Sequence, residues 1–223
     1  MGIENTIFLS YILDINTPTY GDRNKFLIQK KSDISKGDVA NDTSISTTVH
    51  IGTHIDMPYH FYENGQTIEE FPADFWIFDN ILFLDIKPNS LIINDEIVNK
   101  LKNIQDIGYE ILIVKTGICH NRESENFWSE NFGFSPNLYS YLVVNFPNIR
   151  VFGFDSISVS SFQERMIGRE AHKRFLNPKQ PILLLEDMDL RYVDENTELN
   201  KIIIAPLRIS NCDGLPCTVI GKF

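Results

Sequence analysis

Cysteine is scarce in this chain, and its placement removes two classes of protein at once. Cys119, Cys212 and Cys217 include no C-x-x-C pair, so neither a disulfide framework nor a thiolate zinc site is written here, and reduced thiols are expected. Positive charge is short as well. The chain sets 20 Lys and Arg against 30 Asp and Glu, a formal net charge of −10, which argues against a nucleic-acid or anionic-membrane partner. No apolar run approaches the length of a membrane span, and Met1-Gly2-Ile3-Glu4-Asn5 has no basic leader region. A cytoplasmic location is the expectation. Internal repeats, low-complexity blocks and long Pro/Gly/Ser linkers are absent too. With 43% apolar and 22% charged residues the chain can build a sizeable core, and residues 1–223 read as a single domain.

What the chain does have is concentrated in one place. His50-Ile51-Gly52-Thr53-His54-Ile55-Asp56-Met57-Pro58-Tyr59-His60 holds three of its five histidines. His50, His54, Asp56 and His60 lie at even offsets from one another. Successive side chains on a strand alternate faces, so an extended segment would turn His50, His54 and Asp56 the same way, with His60 just beyond. Imidazole and carboxylate together are ligands for zinc or a neighbouring first-row metal, and three of them leave a position open for chemistry. A helical H-E-x-x-H reading fails: Ile51 stands where the general-base Glu belongs, and Gly52, Pro58 and the β-branched Thr47, Thr48, Val49, Thr53 and Ile55 disfavour a helix.

Along the rest of the chain, strands are predicted at Ile7–Ser10, Phe26–Ile28, Ile45–Asp56, Phe78–Ile86, Tyr109–Lys115, Val151–Phe154, Pro181–Leu185, Ile202–Ile204 and Cys217–Ile220. Helices are predicted over Asp95–Asn103, Pro136–Asn145 and Ser161–Phe175. Many short strands with a few interposed helices give a mixed α/β domain whose sheet topology is not readable from the pattern. Two further metal-ligand candidates stand downstream: His172, on the third helix, and Glu186, which ends the apolar run from Pro181. Taken alone, Glu186 reads as a solvated strand end and His172 as a helix-surface residue. Cys119 beside His120 suggests a thiolate–imidazole pair, but neighbours on a strand point oppositely and nothing nearby supports nucleophilic catalysis.

The eleven-residue segment matches H-x-G-T-H-x-D-x-P-x-H and so resembles the metal-dependent cyclase-family hydrolases, which include bacterial kynurenine formamidase (arylformamidase) and isatin hydrolase. The resemblance runs through most of the chain. Thr17-Pro18-Thr19-Tyr20-Gly21-Asp22 is similar to the family's T-P-x-W-P-G-D, and Ile111–Gly117 to its L-L-x-R-T-G strand. Gly153-Phe154-Asp155-Ser156, Ala171-His172, Ala205-Pro206-Leu207 and Asp213-Gly214-Leu215-Pro216 resemble later motifs in order. It departs where Tyr20 replaces a tryptophan, where Lys115 replaces an arginine, and where Met57 replaces a smaller residue.

The resemblance implies a swivelling β/β/α domain with a mixed sheet or partial barrel, flanked by a few helices, and a homodimer or homotetramer. It implies one or two Zn²⁺ per subunit, with Mn²⁺ as an alternative. His50, His54 and Asp56 would hold the first ion, Asp56 and His172 the second, with Glu186 between them. His60 would carry the proton and Tyr20 would line the substrate pocket. The implied activity is hydrolysis of a small amide by a metal-bound hydroxide, on an arylformamide such as N-formylkynurenine in tryptophan catabolism or on a cyclic amide such as isatin. A lactone-forming or dehydrating cyclase of natural-product metabolism, and a non-catalytic metal- or ligand-binding relic of the scaffold, are the alternatives.

Overall fold

The computed structural model describes residues 5–223; the Met1–Glu4 part of the leader reading lies outside them. In chain order the strands and helices are β1 (Thr6–Phe8), β2 (Leu27–Ser32), β3 (Asp42–Ser46), β4 (His54–Asp56), β5 (Ile77–Phe78), β6 (Ile81–Asp85), β7 (Ile92–Ile93), α1 (Asp95–Leu101), β8 (Ile111–Lys115), α2 (Asn126–Ser129), β9 (Gly133–Phe134), α3 (Pro136–Asn145), β10 (Val151–Phe154), α4 (Arg165–Phe175), β11 (Leu183–Glu186), β12 (Lys201–Pro206) and β13 (Gly214–Lys222).

One nine-stranded mixed sheet dominates, in the order β5-β12-β13-β4-β11-β10-β8-β6, with β1 beside β13. Strands β6, β8, β10 and β11 run parallel, whereas β4 runs antiparallel to both of its neighbours, β11 and β13. The inner parallel strands are covered on both faces, which is why residues 111–114 and 183–185 read as unbroken apolar runs, and β8 and β11 are buried throughout.

The two end strands of that order, β5 and β6, are separated in sequence only by Asp79 and Asn80. Three Cα steps reach at most about 11 Å, so the sheet curls until its ends nearly meet. Arg150 clasps that seam: it donates to Glu110 Oε1 at 2.6 Å, to the Phe75 carbonyl at 3.3 Å and to the Ile77 carbonyl at 3.0 Å. The nearly closed mixed sheet with few helices is the partial barrel that the family resemblance implied.

Helices cover the outside of the parallel strands. Ser135 caps α3 by accepting from the Asn137 amide, and Pro136 sits at its first position, where no donor is lost. In α4 the buried residues Gly168, Ala171, His172 and Phe175 form one stripe. Phe175 stacks on Phe152, with centroids 5.3 Å apart, locking α4 to the sheet.

Three of the differences from the predicted elements bear on the site and the closure of the sheet. The long strand over Ile45–Asp56 is two short ones, β3 and β4, because the chain turns between them and Gly52 takes φ +55°. Phe78–Ile86 is divided between β5 and β6 at the closure just described. The helix over Ser161–Phe175 begins only at Arg165. Tyr20 Oη donates to the Ser161 carbonyl and the Phe162 amide donates to Asn131 Oδ1, so both residues are engaged outside the helical ladder.

Candidate metal centre

The centre is built on β4, in the middle of the sheet. His54 and Asp56, two apart, point to the same face, while Ile55 between them enters the core. On the neighbouring strands Glu186 lies directly opposite His54, and Gly214 directly opposite Asp56. His54 donates Nδ1–H to the Gly52 carbonyl at 2.8 Å. That bond leaves Nε2 as the acceptor nitrogen, 3.4 Å from Asp56 Oδ1 and 3.4 Å from Glu186 Oε2.

His172 repeats the device from the helix side. Its Nδ1 donates to the Gly168 carbonyl one turn earlier at 2.8 Å, and its Nε2 lies 3.5 Å from Asp56 Oδ2 and 3.8 Å from Glu186 Oε1. Phe61 stacks on the ring at 4.8 Å and fixes its plane. Glu186 is itself oriented by the Val159 amide, which donates to Oε1 at 2.7 Å, and by the Ser158 hydroxyl at 3.3 Å.

His50 reaches the site by a different route from the one alternation suggested. It precedes the Gly52 turn, so it lies off the strand and folds back with Nδ1 2.9 Å from Asp56 Oδ1. Its Nε2 lies 2.8 Å from Asp213 Oδ2, and His60 brings Nδ1 to the same oxygen at 2.9 Å. The two imidazoles overlap with centroids 4.1 Å apart. Asp213 is the functional-looking residue that sequence reasoning missed. It stood inside a matched motif, but nothing in the sequence ties it to histidines so far away along the chain.

The electrostatics call for a cation. Burial and the charge of Asp56 push Glu186 well above the usual carboxylate range. Burial acts the same way on Asp56, but His50 and the other imidazoles outweigh it and hold Asp56 well below that range. Burial also opposes the charged form of His50, yet Asp56 and Asp213 lift its pKa to about 10. Asp56 Oδ2 is buried and has no hydrogen-bond partner, a costly state for a carboxylate oxygen in a closed site.

The donor set therefore fits a divalent cation: two imidazole lone pairs and two carboxylates converge on an atom that lacks a partner. The ligand atoms of His54, Asp56 and Glu186 lie within 4.8 Å of one another, as do those of His50, Asp56 and His60.

All seven residues singled out from the sequence, Tyr20 included, line one cavity of about 360 Å³. Tyr20 donates to the Ser161 carbonyl at 3.2 Å and meets Phe162 edge-on at 5.5 Å, contacts that hold its ring in the cavity wall. A larger open groove of about 940 Å³ contains none of the histidines, and its Arg122 and Arg191 are already paired with Asp187 and Asp189. Cys119 and His120 form no dyad. Cys119 is buried, His120 is exposed, and burial and Asp155 raise the thiol pKa.

The model of the family described as "Putative cyclase" matches residues 7–161, well over half of the chain. The chain belongs to that family. Within the cyclase family, kynurenine formamidase of Bacillus cereus (strain ATCC 10987 / NRS 248) is 25% identical over 184 residues, 81% of this chain and 79% of that protein. Cyclase-like protein 3 of Arabidopsis thaliana is 26% identical over 194 residues, 84% of this chain and 67% of that protein. Isatin hydrolase A from Labrenzia aggregata, solved with benzyl benzoate bound, superposes with a TM-score of 0.78 at 20% identity, over 98% of this chain and 93% of the other. At that identity the superposition shows the shared fold. The family match stops before His172, Glu186 and Asp213, so their place in the centre rests on the geometry alone. Among the described residues no helix is long and apolar enough to cross a membrane.

Proposed function

We propose that this chain is a metal-dependent hydrolase cleaving the C–N bond of a small amide, either an arylformamide or a cyclic amide of the isatin type. The observation that carries the reading is Asp56 Oδ2, buried without a partner among the acceptor nitrogens of His54 and His172 and the carboxylate of Glu186. Relatives described as kynurenine formamidase and isatin hydrolase support the reaction class.

In this reading His50, His54, Asp56, His172 and Glu186 hold one or two divalent cations, Zn²⁺ or Mn²⁺. When bound, such a cation would supply Lewis-acid polarisation of the amide carbonyl and would lower the pKa of a water beside it. The chain's own groups do the rest. His60 takes and returns the proton that the leaving nitrogen requires. Its Nδ1 is engaged by Asp213, so Nε2 is the atom that meets the substrate. Tyr20 offers an aromatic surface on the cavity wall against which a flat substrate lies, and the buried floor excludes bulk water.

The test is hydrolysis of N-formylkynurenine and of isatin by chelator-stripped protein, before and after adding back Zn²⁺ or Mn²⁺. Metal-restored turnover with kcat/KM of about 10⁴ M⁻¹s⁻¹ or more is expected for one of them. Bound metal with no turnover of either compound overturns the amide reading and turns attention to lactone-forming or dehydrating chemistry.

A further inference from the structure

One carboxylate oxygen engages two histidines at once, and neither the family motif nor the donor set accounts for it. Asp213 Oδ2 lies 2.8 Å from His50 Nε2 and 2.9 Å from His60 Nδ1. The backbone around Asp213 is anchored on both sides. Its carbonyl accepts from the Met57 amide at 3.0 Å, and the next residue, Gly214, pairs with Asp56 in the sheet. The side chain is therefore aimed by the same strand register that places the metal-ligand candidates.

We infer that Asp213 is the positioning residue of this centre, fixing His60 with its proton on Nδ1 and His50 with its proton on Nε2 when metal is bound. The inference rests on the reading of His60 as proton carrier and His50 as metal ligand, and it deepens both. A carboxylate accepts hydrogen bonds, so each nitrogen facing Asp213 must be the one that carries hydrogen. In a neutral ring the other nitrogen is then a lone pair. His50 Nδ1 faces a second carboxylate, Asp56 Oδ1, at 2.9 Å, so it too carries hydrogen until a cation takes that proton's place. In His60 the lone pair falls on Nε2, on the opposite edge of a ring that lines the cavity.

Among the described residues Asp213 is the one hydrogen-bond partner of the His60 ring nitrogens, so without it nothing there chooses between the two tautomers. A ring free to exchange tautomers presents the wrong nitrogen part of the time. Freed of its partner, His60 is also able to rotate toward the overlapping ring of His50, whose centroid is 4.1 Å away. Loss of an orienting partner of this kind typically costs roughly 10- to 100-fold in activity or metal affinity.

Zinc-loaded protein labelled with ¹⁵N at histidine, observed by long-range ¹H–¹⁵N correlation, tests this without any substrate. With only five histidines in the chain each ring is assignable by single substitution. In the unsubstituted protein His60 is expected with a protonated Nδ1 and an unprotonated Nε2. The reverse tautomer on His60 overturns the inference outright, whatever any variant does.

Asp213→Ala is then expected to average the His60 tautomers while His172, tied to Gly168, keeps its own signature as the internal sign of a folded centre. An unchanged His60 pattern in Asp213→Ala overturns the proposal. If Asp213→Ala does not fold, Asp213→Asn serves, because its carbonyl oxygen can still accept; it should keep the His60 tautomer at least in part. Where formylkynurenine or isatin is turned over, Asp213→Ala should lower kcat roughly 10- to 100-fold with KM little changed. It should lower it no further in a His60→Ala background. Additive losses would show that Asp213 does not act through His60. Failure of both substrates leaves the spectroscopic result standing and counts only against the hydrolase reading.

Discussion

Gly214 lies directly against the ring of His50. A Cβ built on Gly214 would sit 2.5 Å from Cε1 and 2.8 Å from Nδ1 of that imidazole. The glycine is opposite Asp56 in the sheet, so the space a side chain would fill on this strand is the space the histidine uses. Gly214→Ala should therefore displace His50 while leaving the fold intact. We expect zinc affinity to fall roughly 10- to 100-fold, measured by competition with a chromogenic chelator, with the circular dichroism spectrum unchanged. Unaltered affinity would remove His50 from the ligand set.

His54 and His60 should separate cleanly in a metal assay. His54 offers an oriented lone pair between two buried carboxylates, whereas His60 is engaged by Asp213 at the cavity wall. His54→Ala is expected to lose bound zinc by elemental analysis, and His60→Ala to keep it while losing roughly 100-fold or more in turnover. Equal loss of metal in both variants would make His60 a ligand and end its role as proton carrier.

Glu186 should trade stability against metal. Its folded-state pKa is raised by burial and by Asp56, so in the stripped protein its ionisation is penalised. An acid raised in this way is harmless below its unfolded pKa, about 4.3, and weakens the fold progressively as pH rises above it. In chelator at pH 8, Glu186→Gln should melt at or above the temperature of the unsubstituted protein. With zinc present the order should reverse. A Glu186→Gln variant that melts lower in chelator would show that the carboxylate supports the fold rather than the ion.

Glu110 gives the opposite sign. Burial opposes its charge, but Arg150 and the Asp79 and Asn80 amides prevail and hold it below the usual carboxylate range. The stability it contributes is present above about pH 4.3 and is lost as pH falls through the lower folded value. Because Glu110 and Arg150 clasp the seam between β5 and β6, Glu110→Gln should flatten the acid limb of the stability curve. Urea melts between pH 3 and 6 would show it, and parallel acid limbs would count against the clasp.

The histidine motif was legible in sequence because two-residue alternation is a local property, and it holds for His54 and Asp56 on β4. It misplaced His50, since a single positive-φ glycine at Gly52 moves the preceding residues off the strand. Glu186 looked like a solvated strand end for a different reason. Only the pairing of β11 with β4, distant in sequence, turns it toward His54. Asp213 was hidden by the same kind of separation. Local periodicity carries strands and helices such as β10 and α3, whose predicted bounds match the structure; it carries no record of which strands become neighbours.

Strand β4 is three residues long and is bonded on both sides, to β11 and to β13. A slip of one residue on either side would turn every side chain of the slipped strand to the other face, carrying Glu186 or Asp213 away from the histidines. An ion that binds only the correctly paired chain adds its binding energy to that pairing alone. The buried faces of β4 and β11 already favour one register, and a cation held there would deepen that preference rather than create it.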